Sequence, residues 1–139
     1  MLKNGLCTII GIIGACIANL FGGWTSALTT LVIFMAIDYL SGLAVAGFFR
    51  NSTKSSTGGL SSAVGFRGLV KKIMILAIVV VAYRLDLLMN VNYIRNTAII
   101  GFCTNELISI AENAGLMGAP LPPVITKAID VLNDKGGQA

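Results

Sequence analysis

Four ionisable side chains, Asp38, Arg84, Glu106 and Glu112, fall in or against segments that are otherwise strongly apolar. In a water-filled cleft such groups could act as general acids and bases. In lipid-like sequence they imply something else. An ionisable group near a bilayer midplane is costly unless it is paired or faces water, so it marks an ion path, a proton relay or a subunit contact. The chain has no histidine, and its carboxylates are dispersed rather than grouped. Ser–His nucleophiles, His-based proton transfer and zinc sites are therefore not expected, and neither is an enzyme or a cofactor. Cys7, Cys16 and Cys103 lack CxxC spacing and read as small hydrophobes. The glycines and lysines include no GxxxxGK[ST] phosphate loop.

The elements that must position these groups are helices. Of the 139 residues, 55% are hydrophobic and 12% charged, well on the membrane side of ordinary usage. Apolar segments are expected at about 5–21, 25–49, 69–91 and 96–116. The second, TSALTTLVIFMAIDYLSGLAVAGFF, exceeds the roughly 20 residues that cross a bilayer. It sets Asp38, Ser41, Gly42 and Ala46 along one face. In the first segment Gly14, Ala18 and Gly22 recur every four residues, a spacing that lets helix backbones approach closely in lipid. Gly22-Gly23 then predicts a turn. Ile13-Gly14-Ala15-Cys16 imitates a lipoprotein cleavage site, but the positive region before it is one residue deep, so an uncleaved first span is expected.

The third segment has an uncharged core, Ile73 to Tyr83, only about 16 Å long as a helix, with Lys71 and Lys72 placed to snorkel at its inner end. The fourth is amphipathic. Phe102, Asn105, Glu106, Ser109, Glu112 and Asn113 share one face, and Ile100, Cys103, Leu107, Ile110 and Ala111 the other. It reads either as a span with a polar face or as a helix lying in the interface, stopping at Gly115. Residues 1–118 thus form a membrane domain. Pro120, Pro122 and Pro123 open a cytoplasmic tail, 119–139, with a short amphipathic helix carrying Ile125, Ala128, Ile129 and Leu132 on one side. The expected fold class is an all-α integral membrane protein with three to four transmembrane helices, assembled as a homo-oligomer.

Arg50, Lys54, Arg67, Lys71 and Lys72 lie in and just after the Ser/Gly-rich stretch 50–68, with no acid among them. Wedged between apolar segments, this cluster predicts a mobile cytoplasmic loop near lipid headgroups rather than a nucleic-acid surface. Asp38 is twelve residues from Arg50, and Arg84 twelve from Lys72. If Arg50 and Lys72 mark one boundary, Asp38 and Arg84 both lie about 18 Å from it, with Glu106 at a similar depth. Arg84 is expected to pair with Asp38, Glu106 or both, within a subunit or between neighbours. The alternative leaves Arg84 at the outer interface and Asp38 protonated.

Two classes of function suit such a chain: a small ion-coupled membrane transporter, and a self-associating permeabiliser. Sparse aromatic residues and a long polar stripe on the fourth segment favour the second. Three motifs also carry a resemblance. Asp38-Tyr39-Leu40-Ser41-Gly42 resembles an Asp-x-x-[Ser/Thr]-Gly element. Lys54-Ser55-Ser56, with Gly59, Gly65, Gly68 and Lys71-Lys72, resembles a basic loop entering a span. Asn105-Glu106-x-Ile108-Ser109-Ile110-x-Glu112-Asn113-Ala114-Gly115 runs on to Gly118, Pro120 and Pro122. In this order, over residues 25 to 125, they resemble the toxin-secretion/phage-lysis holin family (bacteriophage holin family 4). The resemblance implies a multi-pass protein of the bacterial cytoplasmic membrane that oligomerises into large lesions, pore formation that causes cytolysis. Its partners would be the lipid bilayer, copies of itself, and an endolysin or secreted toxin that passes through. Holin antagonists (antiholins) look alike.

Overall fold

Glycines and prolines punctuate the hydropathy and set the helix ends. The computed structural model describes residues 1–137, which form five helices: α1 Leu2–Leu20, α2 Ser26–Gly47, α3 Ser62–Met89, α4 Ile94–Leu116 and α5 Pro123–Gly137. The fold is all-α. Two helices, α1 and α2, are long and apolar enough to cross a membrane.

The Gly22-Gly23 turn forms as expected. Gly22 N–H donates to the Asn19 carbonyl and Gly23 N–H to the Ala18 carbonyl, satisfying the end of α1 as Gly22 turns left-handed at φ 79°. Thr25 then caps α2 by accepting the Leu28 N–H at 3.2 Å. The same device ends α4, three residues beyond the expected Gly115. Gly118, at φ 77°, donates to the Gly115 carbonyl and Ala119 to that of Ala114.

α4 is the central element. It packs against α2 on one side, α3 on another and α5 on a third, whereas α2 and α3 barely touch. Toward the Gly22 end the interior is apolar: Phe21, Leu28, Leu31, Met35, Val79, Ile99 and Cys103 form one buried cluster. Toward the end that carries segment 48–61 it becomes polar. α1 stands apart, with no buried residue. Within one chain, therefore, the Gly14–Ala18–Gly22 spacing seats no neighbouring helix. A side chain at Gly14 would meet open space, and Gly22 serves the turn, where a Cβ would overlap the Tyr83 ring.

Two expectations need correction here. α3 starts at Ser62, seven residues before the expected 69, so the loop is shorter than 50–68. Poor helix formers enter the helix because Tyr39 of α2 packs on them: its hydroxyl lies 3.5 Å from where a Cβ would sit on Gly65, and its ring edge 3.7 Å from the same position on Gly68. The loop is also folded on itself. Ser52 N–H donates to the Gly58 carbonyl at 3.0 Å and the Ser55 hydroxyl to Gly59 at 2.8 Å. The tail helix, read as separate from the membrane domain, lies on α4 with Ile125, Ile129 and Leu132 half-buried.

Candidate functional site

Helix length positions the site. Asp38 lies nine residues before the end of α2, Lys72 ten residues into α3, and Glu106 ten residues before the end of α4. Because α3 runs antiparallel to the other two, all three reach the same level, about 14 Å from the loop end. There the Lys72 ammonium donates to Asp38 Oδ2 at 2.8 Å and to Glu106 Oε2 at 2.5 Å, joining three helices through one cation.

The other side of Asp38 is held by Asn113. Its amide nitrogen donates to Asp38 Oδ1 at 3.2 Å, to the Asp38 carbonyl at 3.3 Å and to Ser41 Oγ at 2.9 Å. Ser41 in turn donates to the Asp38 carbonyl at 3.1 Å. Gly42 faces Asn113: a Cβ there would lie 3.7 Å from its amide nitrogen, an ordinary contact. Asp38, Glu106 and Asn113 are all buried, and among the described residues no buried side-chain polar atom lacks a partner. A buried charge without a partner is costly, and here each has one.

Asp38, Ser41 and Gly42 lie on the face of α2 toward Asn113, and Ser109 is half-buried on α4. The counter-ion is not the expected one. Within the chain it is Lys72, not Arg84, and Arg84 is exposed five residues from the end of α3. The depth comparison took Lys72 as the boundary; with α3 starting at Ser62, Lys72 moves to the level of Asp38. The polar face of α4 also divides. Glu106 and Asn113, seven residues apart, turn inward, together with Cys103 from the side expected to be apolar. Asn105 and Glu112, also seven apart, are exposed. Asn105 borders a shallow hollow with Leu132 and Asn133 of α5.

A second polar group closes the Gly22 end. Buried Asp86 accepts the Ile94 N–H at 2.9 Å and the Arg95 N–H at 3.0 Å, capping α4 from the last turn of α3. Arg95 donates to the Phe21 and Gly22 carbonyls at 2.8 and 3.0 Å, with its guanidinium 5.7 Å from the centre of the Tyr83 ring.

Beside the Asp38–Lys72–Glu106 cluster, a cavity of about 500 Å³ opens between α2 and α3 under segment 48–61. Arg67, Lys71 and Lys54 line it, and all three are exposed. Arg50 stands outside it with a left-handed backbone, φ 48°.

Long apolar helices around an internal charge cluster define the class: an all-helical protein with two helices long and apolar enough to cross a membrane. A bacteriophage holin family model matches residues 15–134, and the chain belongs to that family. The family is in general non-enzymatic and implies a protein of the cytoplasmic membrane with a holin-type function. Among similar chains, an uncharacterized Listeria monocytogenes protein is 38% identical over 126 residues, 90% of this chain and 84% of its own length. An uncharacterized Clostridium perfringens protein is 36% identical over 134 residues, 94% and 93% of the two chains. A chain named as a probable holin, from Bacillus phage phi105, is 29% identical over 122 residues, 87% and 84%. No solved structure matches.

Proposed function

We propose that the chain assembles in the bacterial cytoplasmic membrane into lesions that let an endolysin, or an exported toxin, cross and so bring about lysis of the host cell. The observation that carries this reading is the Asp38–Lys72–Glu106–Asn113 cluster, closed inside three helices of a chain that belongs to a holin family. A single chain satisfies its own buried charges, which suits a protein that accumulates in lipid without harm. Opening the same cluster supplies polar groups for the wall of a water-filled lesion.

In this reading α3 and α4 also span the bilayer. The loop end faces the cytoplasm, because Arg50, Lys54, Arg67, Lys71 and Lys72 all lie toward it. α1, with no buried residue, brings Gly14 and Ala18 to neighbouring copies. Exposed Asn105 and Glu112 form the outer polar stripe through which copies meet before the cluster opens. One charge moved through the membrane field is worth about 2.3 kcal/mol per 100 mV, so loss of potential shifts the balance between closed and open forms.

The test is induced expression in a bacterium with a potential-sensitive dye, with and without a cytoplasmic endolysin. The expected outcome is a delayed, abrupt collapse of potential in both cultures and lysis only where endolysin is present. A potential that stays intact contradicts the reading. If the chain then delays lysis by a co-expressed holin, its role is that of an antagonist.

A further inference from the structure

We infer that the cavity between α2 and α3 binds one anionic phospholipid of the inner leaflet, with Lys54, Arg67 and Lys71 around its phosphate. The inference rests on the orientation given above but not on lesion formation. The space exists because α2 and α3 hardly touch, and because α3 presents Gly65 and Gly68 where larger side chains would fill it. The ion-paired Asp38, Lys72 and Glu106, with Asn113, form its inner border, and the rest of its lining has two chemistries. Lys54, Arg67 and Lys71 border it without a carboxylate within ion-pair distance, since Lys72 is the cation of both ion pairs among the described residues. Ser52, Thr53 and Ser61 add hydroxyls from the overlying segment. Tyr39, Leu43 and Ile75 make an apolar wall.

A soluble anion would use only the first of these surfaces, and a neutral lipid only the second. A phosphate attached to a glycerol and acyl stem uses both. The volume of about 500 Å³ holds a headgroup, its glycerol and the first carbons, the tails remaining in the bilayer. Arg67 lies five residues nearer the loop end than Lys72, about 8 Å along the helix, so Arg67 meets the phosphate on its surface side, Lys71 reaches up to it from the level of the ion cluster, and the stem lies along Tyr39, Leu43 and Ile75. A lipid seated here ties segment 48–61 to both helices.

The experiment is native mass spectrometry of the full chain in mild detergent, with phosphatidylglycerol and phosphatidylcholine offered at equal mole fraction. One phosphatidylglycerol retained per chain, and little phosphatidylcholine, is expected. Arg67→Gln with Lys71→Gln should weaken retention about thirtyfold, the effect of removing two cations that face an anionic lipid. Gly68→Leu keeps every cation but fills the space, and should abolish retention while helix content by circular dichroism is unchanged. Phosphatidylglycerol still held by a folded Gly68→Leu, or equal retention of the two lipids by the parent chain, overturns the site. Displacement of phosphatidylglycerol from the parent chain by glycerol 3-phosphate reassigns the cavity to a soluble phosphate and overturns the lipid. A chain that retains phosphatidylglycerol but leaves the membrane potential intact refutes the lesion reading alone; the converse refutes this site alone.

Discussion

The α2–α4 bundle is pinned by polar groups at both of its ends, but the partners differ. At the Gly22 end, Asp86 and Arg95 hold backbone: two N–H groups at the start of α4 and two carbonyls after α1. Those bonds cannot be exchanged without unwinding a helix end or a turn. At the loop end, Asp38, Lys72, Glu106 and Asn113 mostly hold one another's side chains. Such partners can be traded for water, or for a second copy, while every helix stays intact. The first region fixes the connections. The second has an alternative state open to it, and the proposed function draws on that one.

Substitutions sharpen the contrast. The largest effect belongs to Lys72→Met, which leaves two carboxylates buried without a cation. Breaking a buried pair in this way costs about 3–5 kcal/mol, so the variant should fail to give a folded chain in detergent, and Lys72→Arg should restore most of it. Next comes Asp86→Ala, expected to lower unfolding stability by about 1–2 kcal/mol through loss of the α4 cap, with the delay before permeabilisation unchanged once expression is matched. If Asp86→Ala shifts that delay as strongly as changes at the loop end do, the division between the two regions is wrong.

Glu106→Gln keeps an acceptor for Lys72 and leaves the Asp38 pair in place. Its cost to folding should be about 1 kcal/mol, yet it should change the onset of permeabilisation, and Glu112→Gln should add to the change. Unaltered timing and extent in the double variant would remove both carboxylates from the mechanism. The smallest effect is expected from Arg84→Gln, within about 0.5 kcal/mol in unfolding stability, because the side chain is exposed and outside both clusters.

Much of this arrangement was legible in the residues. Gly22-Gly23 marked the first turn, the apolar run around Asp38 marked α2, and the spacing of Ile125, Ala128, Ile129 and Leu132 marked α5, where all but the exposed Ala128 are half-buried. Asp38 and Glu106 announced themselves by type and depth. The start of α3 did not, because SSAVGFRG reads as loop. Those residues become helical only through a tertiary contact, Tyr39 against Gly65 and Gly68. Every later depth depends on that boundary: within the chain Lys72 pairs with Asp38 and Glu106, and Arg84 is exposed near the end of α3. The choice between Glu112 and Asn113 was closed for another reason. Adjacent residues on a helix point about 100° apart, and the rotation of α4 is set by three neighbours at once, which no local pattern encodes. Asp86 and Arg95 were hidden because their partners are backbone groups, which carry no sequence signal.

The central claim is that the Asp38–Lys72–Glu106 region is closed in the silent protein and opens to water in the lesion. Ser109→Cys, in a background with Cys7, Cys16 and Cys103 replaced by serine, puts one thiol beside the cluster on α4. Labelling intact cells with a membrane-impermeant maleimide, before and after the membrane potential is collapsed, reads the change directly. Protection before collapse and rapid labelling afterwards is the predicted result. Equal labelling in both states, or protection that persists once an endolysin has crossed, would contradict it.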